Sequence, residues 1–347
     1  MPTRTHTSAA VLLLAAACAP PAIAQEAPEF EATDITTWTP AQHEALGVFR
    51  RWVPSSPAGA PAGFVGEARS GNGLIAGSQV LTNVFVQGTG VIIDAGIPEI
   101  FSALGTFNWQ RTEWDGTDWH FYNGFVNHAH GFDVNCHGRL VGDSTMPGSG
   151  SYSYEHDAHA VLADRGGTFV DLTPTAHRAA ATGINNSGEI VLWITEGATT
   201  TGFRRAPDGS MTRLDGLGGS CRPERITERG LVVGSGSDGI VQRSKAFASV
   251  AGSACVELAL PATGTPTDAV AVDANEARWV VGDTWDFSQS YEHFATIWIP
   301  AGTPSQWEGH DLNELLVTPD ILLERALAVA EDGRIIARGR PDGSDAF

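Results

Sequence analysis

The sequence predicts an all-β chain, a six-bladed β-propeller of four-stranded blades, and three recurrences predict it. The first is a Gly-x-Val-Val-Gly element and its variants, at Gly73 to Gly77, Gly138 to Gly142, Gly188 to Leu192, Gly230 to Gly234, Arg278 to Gly282 and Gly333 to Ala337, spaced 42 to 65 residues apart. That period suits one blade per copy, with insertions in the longer ones. The second is a short apolar strand carrying Ala-Phe or a variant: Val84-Phe85, Ala160-Val161, Gly202-Phe203, Ala246-Phe247, Ala295-Thr296 and Ala346-Phe347. The third sets a polar, usually acidic, residue before an apolar one: Asp94-Ala95, Asp171-Leu172, Arg213-Leu214, Glu257-Leu258 and Asp311-Leu312.

The sixth copy of that third pattern lies at the other end of the chain, in Asp34-Ile35. Phe30 to Ile35 is therefore expected to serve as the fourth strand of the last blade, beside Asp345 to Phe347. Pairing the two ends closes the ring and removes exposed sheet edges. Within each repeat the strands are joined by turn chemistry. In Thr182 to Leu192, the run Ile184-Asn185-Asn186-Ser187-Gly188 separates two apolar strands, because Asn and Gly tolerate the positive backbone angles a hairpin needs. Helix is expected only in short pieces, Pro40 to Phe49 and Asp311 to Leu316.

The first 24 residues read as a signal peptide: Arg4 in a polar head, an apolar run from Val11 to Ala17, and Ala22-Ile23-Ala24 before the cut. The alternative is lipidation at Cys18, although the Leu usual three residues earlier is absent. Residues 25–347 then form a single propeller domain with an insertion at 96–130, secreted or periplasmic. The net charge of −19 repels nucleic acid and anionic membrane, and no stretch approaches the 18 apolar residues of a spanning helix. A monomer is expected, without nucleic-acid partner or membrane insertion.

The stretch Thr182 to Gly219, with Gly-Ile-Asn-Asn-Ser-Gly, Gly202-Phe203 and Leu214-Asp215-Gly216-Leu217-Gly218-Gly219, resembles the extracellular HAF repeat family, named for a His-Ala-Phe strand. The His survives only at His159. The family is similar in layout to TolB-type propeller repeats. The resemblance implies export and fold and leaves activity open.

Candidate site residues gather in one sector. The loop from Gly96 to His128 carries Trp109, Trp114, Trp119 and Tyr122 among Asp115, Asp118 and Asn123, and the loop from Asp143 to Asp157 carries Tyr154 and His156. Aromatic faces edged by polar groups suit sugar or peptide binding, and the same rings would equally form a small core pinning a long loop. His128 and His130 alternate toward one face of an inner strand, and with His156, His159 and a carboxylate such as Asp133, Asp143 or Asp157 they form a candidate metal set of weak spacing. No cofactor or metal is expected. The turns at Pro207-Asp208-Gly209, Ser237-Asp238-Gly239, Glu331-Asp332-Gly333 and Pro341-Asp342-Gly343 read as turn chemistry, not calcium loops.

Strand directions place Cys221 on the face where each innermost strand begins and Cys136 and Cys255 at the opposite end, which predicts three thiols and no bridge. The favoured function is an exported, non-enzymatic propeller that binds a carbohydrate or protein partner through the face bearing both insertions. The alternative is a carbohydrate-active enzyme on that face: a polysaccharide lyase with a His or Tyr base and Arg111 neutralising a uronic carboxylate, or a glycoside hydrolase with the paired carboxylates Glu113 and Asp115.

Overall fold

The computed structural model describes side chains at residues 28–32, 130–144, 158–163, 170–286 and 293–340, apart from 177, 240–242, 251–253, 264–265, 304 and 318–320. It describes backbone alone at 10–16, 33–34, 64–69, 75–83, 85–94, 97–100, 112–114, 119–121, 129, 145, 169 and 341. Among the described residues, six four-stranded antiparallel sheets and one two-stranded hairpin hold the strands. Sheet 1 comprises Phe64–Arg69, Ile75–Asn83, Phe85–Asp94 and Ile97–Ile100. Sheet 2 comprises Ala129–Val134, Leu140–Thr145, Ala158–Ala163 and Phe169–Asp171. Sheet 3 runs through Ala179–Ile184, Ile190–Glu196, Thr199–Arg205 and Met211–Arg213, and sheet 4 through Cys221–Ile226, Val232–Gly236, Lys245–Ser249 and Val256–Glu257. Sheet 5 holds Asp268–Ala274, Val280–Trp285, His293–Pro300 and Trp307–Asp311.

Sheet 6 corrects one expectation and meets another. Its order is Ile321–Val329, Ile335–Pro341, Ala10–Ala16 and Phe30–Asp34. Phe30–Asp34 is the outer strand, as its pattern predicts, but its neighbour is Ala10–Ala16 and not Asp345 to Phe347, which lies outside the described residues. The physical reason is length and composition. Ala-Val-Leu-Leu-Leu-Ala-Ala offers a seven-residue apolar strand in register with Ile335 to Gly339. Phe30 itself is fully buried, packs edge-on to Trp279 of sheet 5 with ring centroids 6.4 Å apart, and its carbonyl accepts from Val317 N–H at 2.9 Å.

The expected positions of the other repeat patterns hold in sheets 2 to 5, where Ala160-Val161, Gly202-Phe203, Ala246-Phe247 and Ala295-Thr296 lie in third strands. In sheet 1, Asp94 ends the third strand and the fourth begins at Ile97. Of the two short helices expected, Leu312–Leu315 is a 3₁₀ turn capped by Asp311, whose carboxylate accepts from Asn313 N–H. Pro40 to Phe49 lies outside the described residues.

A hydrophobic seam fills each gap between successive sheets from 2 to 6. Val141, Leu162 and Ile190 fill the gap between sheets 2 and 3; Val191, Leu214 and Phe247 that between 3 and 4. Val233, Ala271 and Trp298 lie between sheets 4 and 5, and Val281, Ile297 and Leu323 between 5 and 6. Because successive strand residues face opposite sides, each second strand feeds two seams, as Ile190 and Val191 do.

The turn between first and second strands explains the repeat motif. The Asn185 side-chain oxygen accepts from Glu189 N–H and Ser187 O–H, while its amide reaches Thr227 O in the next sheet. Asn135 does the same for His137 and Arg139 and reaches Asn185 O. The following residue extends the chain of contacts: Cys136 N–H donates to Asn186, Asn186 N–H to Glu228, Glu228 N–H to Glu276 and Glu276 N–H to Glu331, at 2.6–2.9 Å. Each turn thus bonds the next, so the first-to-second turns of sheets 2 to 6 share one side of the molecule. Gly188 closes its turn at φ +84°, a conformation costly for other residues.

Each innermost strand is bulged opposite the second strand, once in sheets 1 to 5 and twice in sheet 6. The bulge brings backbones close, which explains the second glycine of the motif: a Cβ on Gly142 would sit 1.7 Å from His130 O, and one on Gly282 1.9 Å from Val270 O. At the bulge the innermost strands meet. Arg225 of sheet 4 bonds Asp133 of sheet 2 at 2.5 Å and lies 3.4 Å from Asp273 of sheet 5, all three fully buried. Asp133 also accepts from Ile184 N–H of sheet 3, and Asp273 from Val329 N–H of sheet 6. One ionic cluster therefore touches the innermost strands of five consecutive sheets.

Candidate functional site

With the first turns on one side, strand alternation puts the opposite connections on the other: the loops from second to third strands and the links between sheets. Most of the two insertions singled out by sequence, residues 96–128 and 143–157, lies outside the described residues. Within the first, Thr112–Trp114 pairs with Trp119–Phe121 as a hairpin in which Trp114 stands opposite Trp119. Glu113 pairs with His120 in the same hairpin. Trp109, Tyr122, His128, Tyr154 and His156 lie outside the described residues.

His130 does lie on that face, and its chemistry is already engaged. Its Nδ1 is 2.9 Å from Asp143 Oδ1, with the ring tilted against Phe132. His159 is held in the same manner by Asp171 at 2.8 Å, the structural role its repeat position suggests, and His293 by Asp283 at 2.7 Å. Asp133, a candidate metal carboxylate by sequence, is instead committed to Arg225 in the ionic cluster. Among the described residues no three His, Cys, Asp or Glu side chains cluster as metal ligands.

The loop face has a pocket that the sequence reading missed. It lies between sheets 3 and 4, holds about 520 Å³, and is walled by Thr199 and Thr200 from sheet 3, the Gly219-Ser220 link, Arg222, and Ser235, Gly236, Ser237, Gly239, Arg243 and Ser244 of sheet 4 and its second-to-third connection. Its size falls within the usual range of small-molecule pockets. Gly219 packs so tightly here that a Cβ would meet Gly239 N at 2.4 Å and Ser237 Oγ at 2.6 Å. Ser220 N–H donates to Ser237 Oγ, and Ser220 Oγ accepts from Thr200 N–H, so loops from two sheets are fastened around the opening. Arg222 extends over the Trp193 ring at 5.0 Å and pairs with Glu224 at 3.0 Å.

No family model and no curated protein matches the sequence. The chain is similar in structure to TolB from Acinetobacter baumannii, at 10% identity with a TM-score of 0.42, over 96% of this chain and 64% of that one. It spans, then, 64% of the length of that relative. A candidate TolB from Agrobacterium tumefaciens follows at 12% identity and TM-score 0.39, over 74% of this chain and 87% of that one. A candidate gluconolactonase is similar at 12% identity and TM-score 0.31, over 84% and 99% of the two chains.

A thiol pair adjoins the pocket and corrects the cysteine assignment. Cys221, between the wall residues Ser220 and Arg222, hydrogen-bonds the Cys255 sulfur, although strand direction alone puts the two at opposite ends. The reason is that Cys255 leaves its own sheet: its N–H reaches Asp215 O of the preceding link at 3.4 Å, which carries it into the seam between sheets 3 and 4. The hydrogen bond from Cys221, aided by Ser249 against the opposing effect of burial, holds the Cys255 thiol below its ordinary value; the same bond and burial push Cys221 up. Cys136, Cys221 and Cys255 all carry free thiols.

Proposed function

We propose that the chain is an exported six-bladed β-propeller of the HAF-repeat type that binds a carbohydrate or protein partner through its loop face without catalysing a reaction. The observation that carries this reading is the pocket of about 520 Å³ between sheets 3 and 4, whose wall offers hydroxyls, backbone amides and guanidinium groups. Such a lining holds a polar ligand and supplies no acid–base couple, which separates it from a lyase or hydrolase site. The aromatic residues of the 96–130 insertion would extend the recognition surface along the same face. Export in this reading removes residues 1–24 after Ala24, which withdraws Ala10–Ala16 from sheet 6. Asp345 to Phe347 would then take the third-strand place and close the ring.

The test is a glycan and polysaccharide screen on the protein exported from cells, scoring retention, released unsaturated or reducing ends, and the N-terminal residue by mass spectrometry. The reading predicts retention without product and an N-terminus at Gln25. Product that disappears in a His130→Ala or His128→Ala variant would establish the enzyme reading in its place, and an intact N-terminal Met would contradict removal of the leader.

A further inference from the structure

From the donors converging on the pocket between sheets 3 and 4, we infer that it binds an anionic saccharide, carboxylated or sulfated. The inference rests on the binder reading above and makes it specific. Arg243 lines the opening, is exposed, and has no hydrogen bond or ion pair among the described residues. Its guanidinium therefore keeps its planar donors for a ligand, in a geometry that matches a carboxylate or sulfate. Arg222 supplies a second guanidinium, half-exposed, steadied against Trp193 and shared with Glu224.

The hydroxyls point to the same ligand. Ser220 Oγ and Ser237 Oγ each accept a backbone N–H, from Thr200 and Ser220 respectively, and neither donates to another group among the described residues. Both keep an O–H for a ligand acceptor. Ser244 is committed as a donor to Ala269 O and serves the wall instead. Two guanidinium groups and two free hydroxyl donors in a preformed cavity match a carboxylate or sulfate with neighbouring ring hydroxyls, and the Gly219–Gly239 contact fixes the loops that present them.

The test is calorimetric titration of the full chain with tri-galacturonate, its methyl ester and a sulfated galactose trimer, repeated on Arg243→Gln and Ser237→Ala variants whose folding is checked by thermal melting. The inference predicts binding of at least one charged trimer, at least tenfold weaker affinity for the ester than for tri-galacturonate where the carboxylate is the ligand, and at least a tenfold loss in Arg243→Gln. The two charged trimers separate the carboxylate from the sulfate source. Equal affinity for charged and neutral trimers overturns the anionic inference and leaves the binder reading standing. Binding unaffected by both substitutions moves the site elsewhere on the face. Absence of binding to every trimer overturns the inference, and the binder reading falls with it only if the wider screen also shows no retention.

Discussion

Arg225 Nη1 sits 2.5 Å from Asp133 Oδ2, though 92 residues and an intervening sheet separate the two along the chain. Both are fully buried, and Asp273 approaches the same guanidinium from sheet 5. Such a cluster is costly to desolvate and is held only because each charge has a partner, so removing one member should be far worse than its net contribution implies. Arg225→Met is expected to destabilise the protein by about 3–5 kcal/mol, since it strands two buried carboxylates. Urea unfolding of Arg225→Met, Asp133→Asn and the double variant measures this, and the double variant should recover part of the single-site loss.

Gly282 and Gly197 should respond differently to the same methyl group. A Cβ at Gly282 would lie 1.9 Å from the Val270 carbonyl, where the backbone has no room to yield. Gly282→Ala should therefore cost about 3 kcal/mol or more. Gly197, at φ +59° with open space around its Cβ position, should lose only the left-handed penalty of about 1 kcal/mol in Gly197→Ala. Thermal melts of the two variants compare them directly.

Glu189 links folding to pH. Burial raises its pKa, but bonds from Asn185 and Arg204, with Arg204 Nη2 at 2.6 Å, outweigh burial and hold it below its ordinary value. A carboxylate depressed on folding contributes stability in full above the unfolded pKa, and that stability is lost as pH falls through the depressed folded value. Arg204→Met should cost about 1–2 kcal/mol at pH 7. The difference from wild type should shrink below about pH 4 without vanishing, because Arg204 also bonds Gly230 O across the seam. Unfolding midpoints at pH 7 and pH 3 read it out.

The thiol pair predicts an order of reactivity. With Cys221 donating to it, Cys255 should alkylate first with iodoacetamide, at a pH below that of an ordinary thiol, while buried Cys221 lags. Cys221→Ala removes the donor and should shift the labelling of Cys255 to higher pH. Peptide mass spectrometry across pH 6–9 follows both sites, and equal rates would show that the two sulfurs do not interact.

What the sequence made legible was local. The turn at Asn185 and Gly188 is set by residues within four positions of one another, and the same chemistry recurs at Asn135 and Asn275, so periodicity exposed it. The acidic turns at Asp208 and Asp332 likewise proved to cap their own loops, through Ser210 and Arg334. The Arg225 cluster was not legible, because it joins residues of different repeats whose partners no spacing specifies. The pocket escaped for a related reason: Ser235 to Gly239 reads as a Gly/Ser turn, and its donor character emerges only when the Gly219-Ser220 link of the neighbouring repeat lies against it. Arg243, a basic residue just beyond that Gly/Ser run in an acidic chain, was the available signal. The place of Ala10–Ala16 in sheet 6 was not legible, because it matches no repeat pattern and meets only the physical need for an apolar strand beside Ile335 to Gly339.

The central claim is that the six sheets form a closed ring, with sheet 6 beside sheet 1. Spin labels at Asn72, which lies in sequence between the first two strands of sheet 1, and at Asp332, in the first turn of sheet 6, can be compared with labels at Ala277 and Asp332, in the turns of the adjacent sheets 5 and 6, in a background without native cysteines. Double electron–electron resonance supplies both distances, and the second pair is an internal ruler because Glu276 and Glu331 of those turns are hydrogen-bonded. A closed ring predicts that the two distances agree. A much longer separation for the first pair would mean an open arc and would contradict the account.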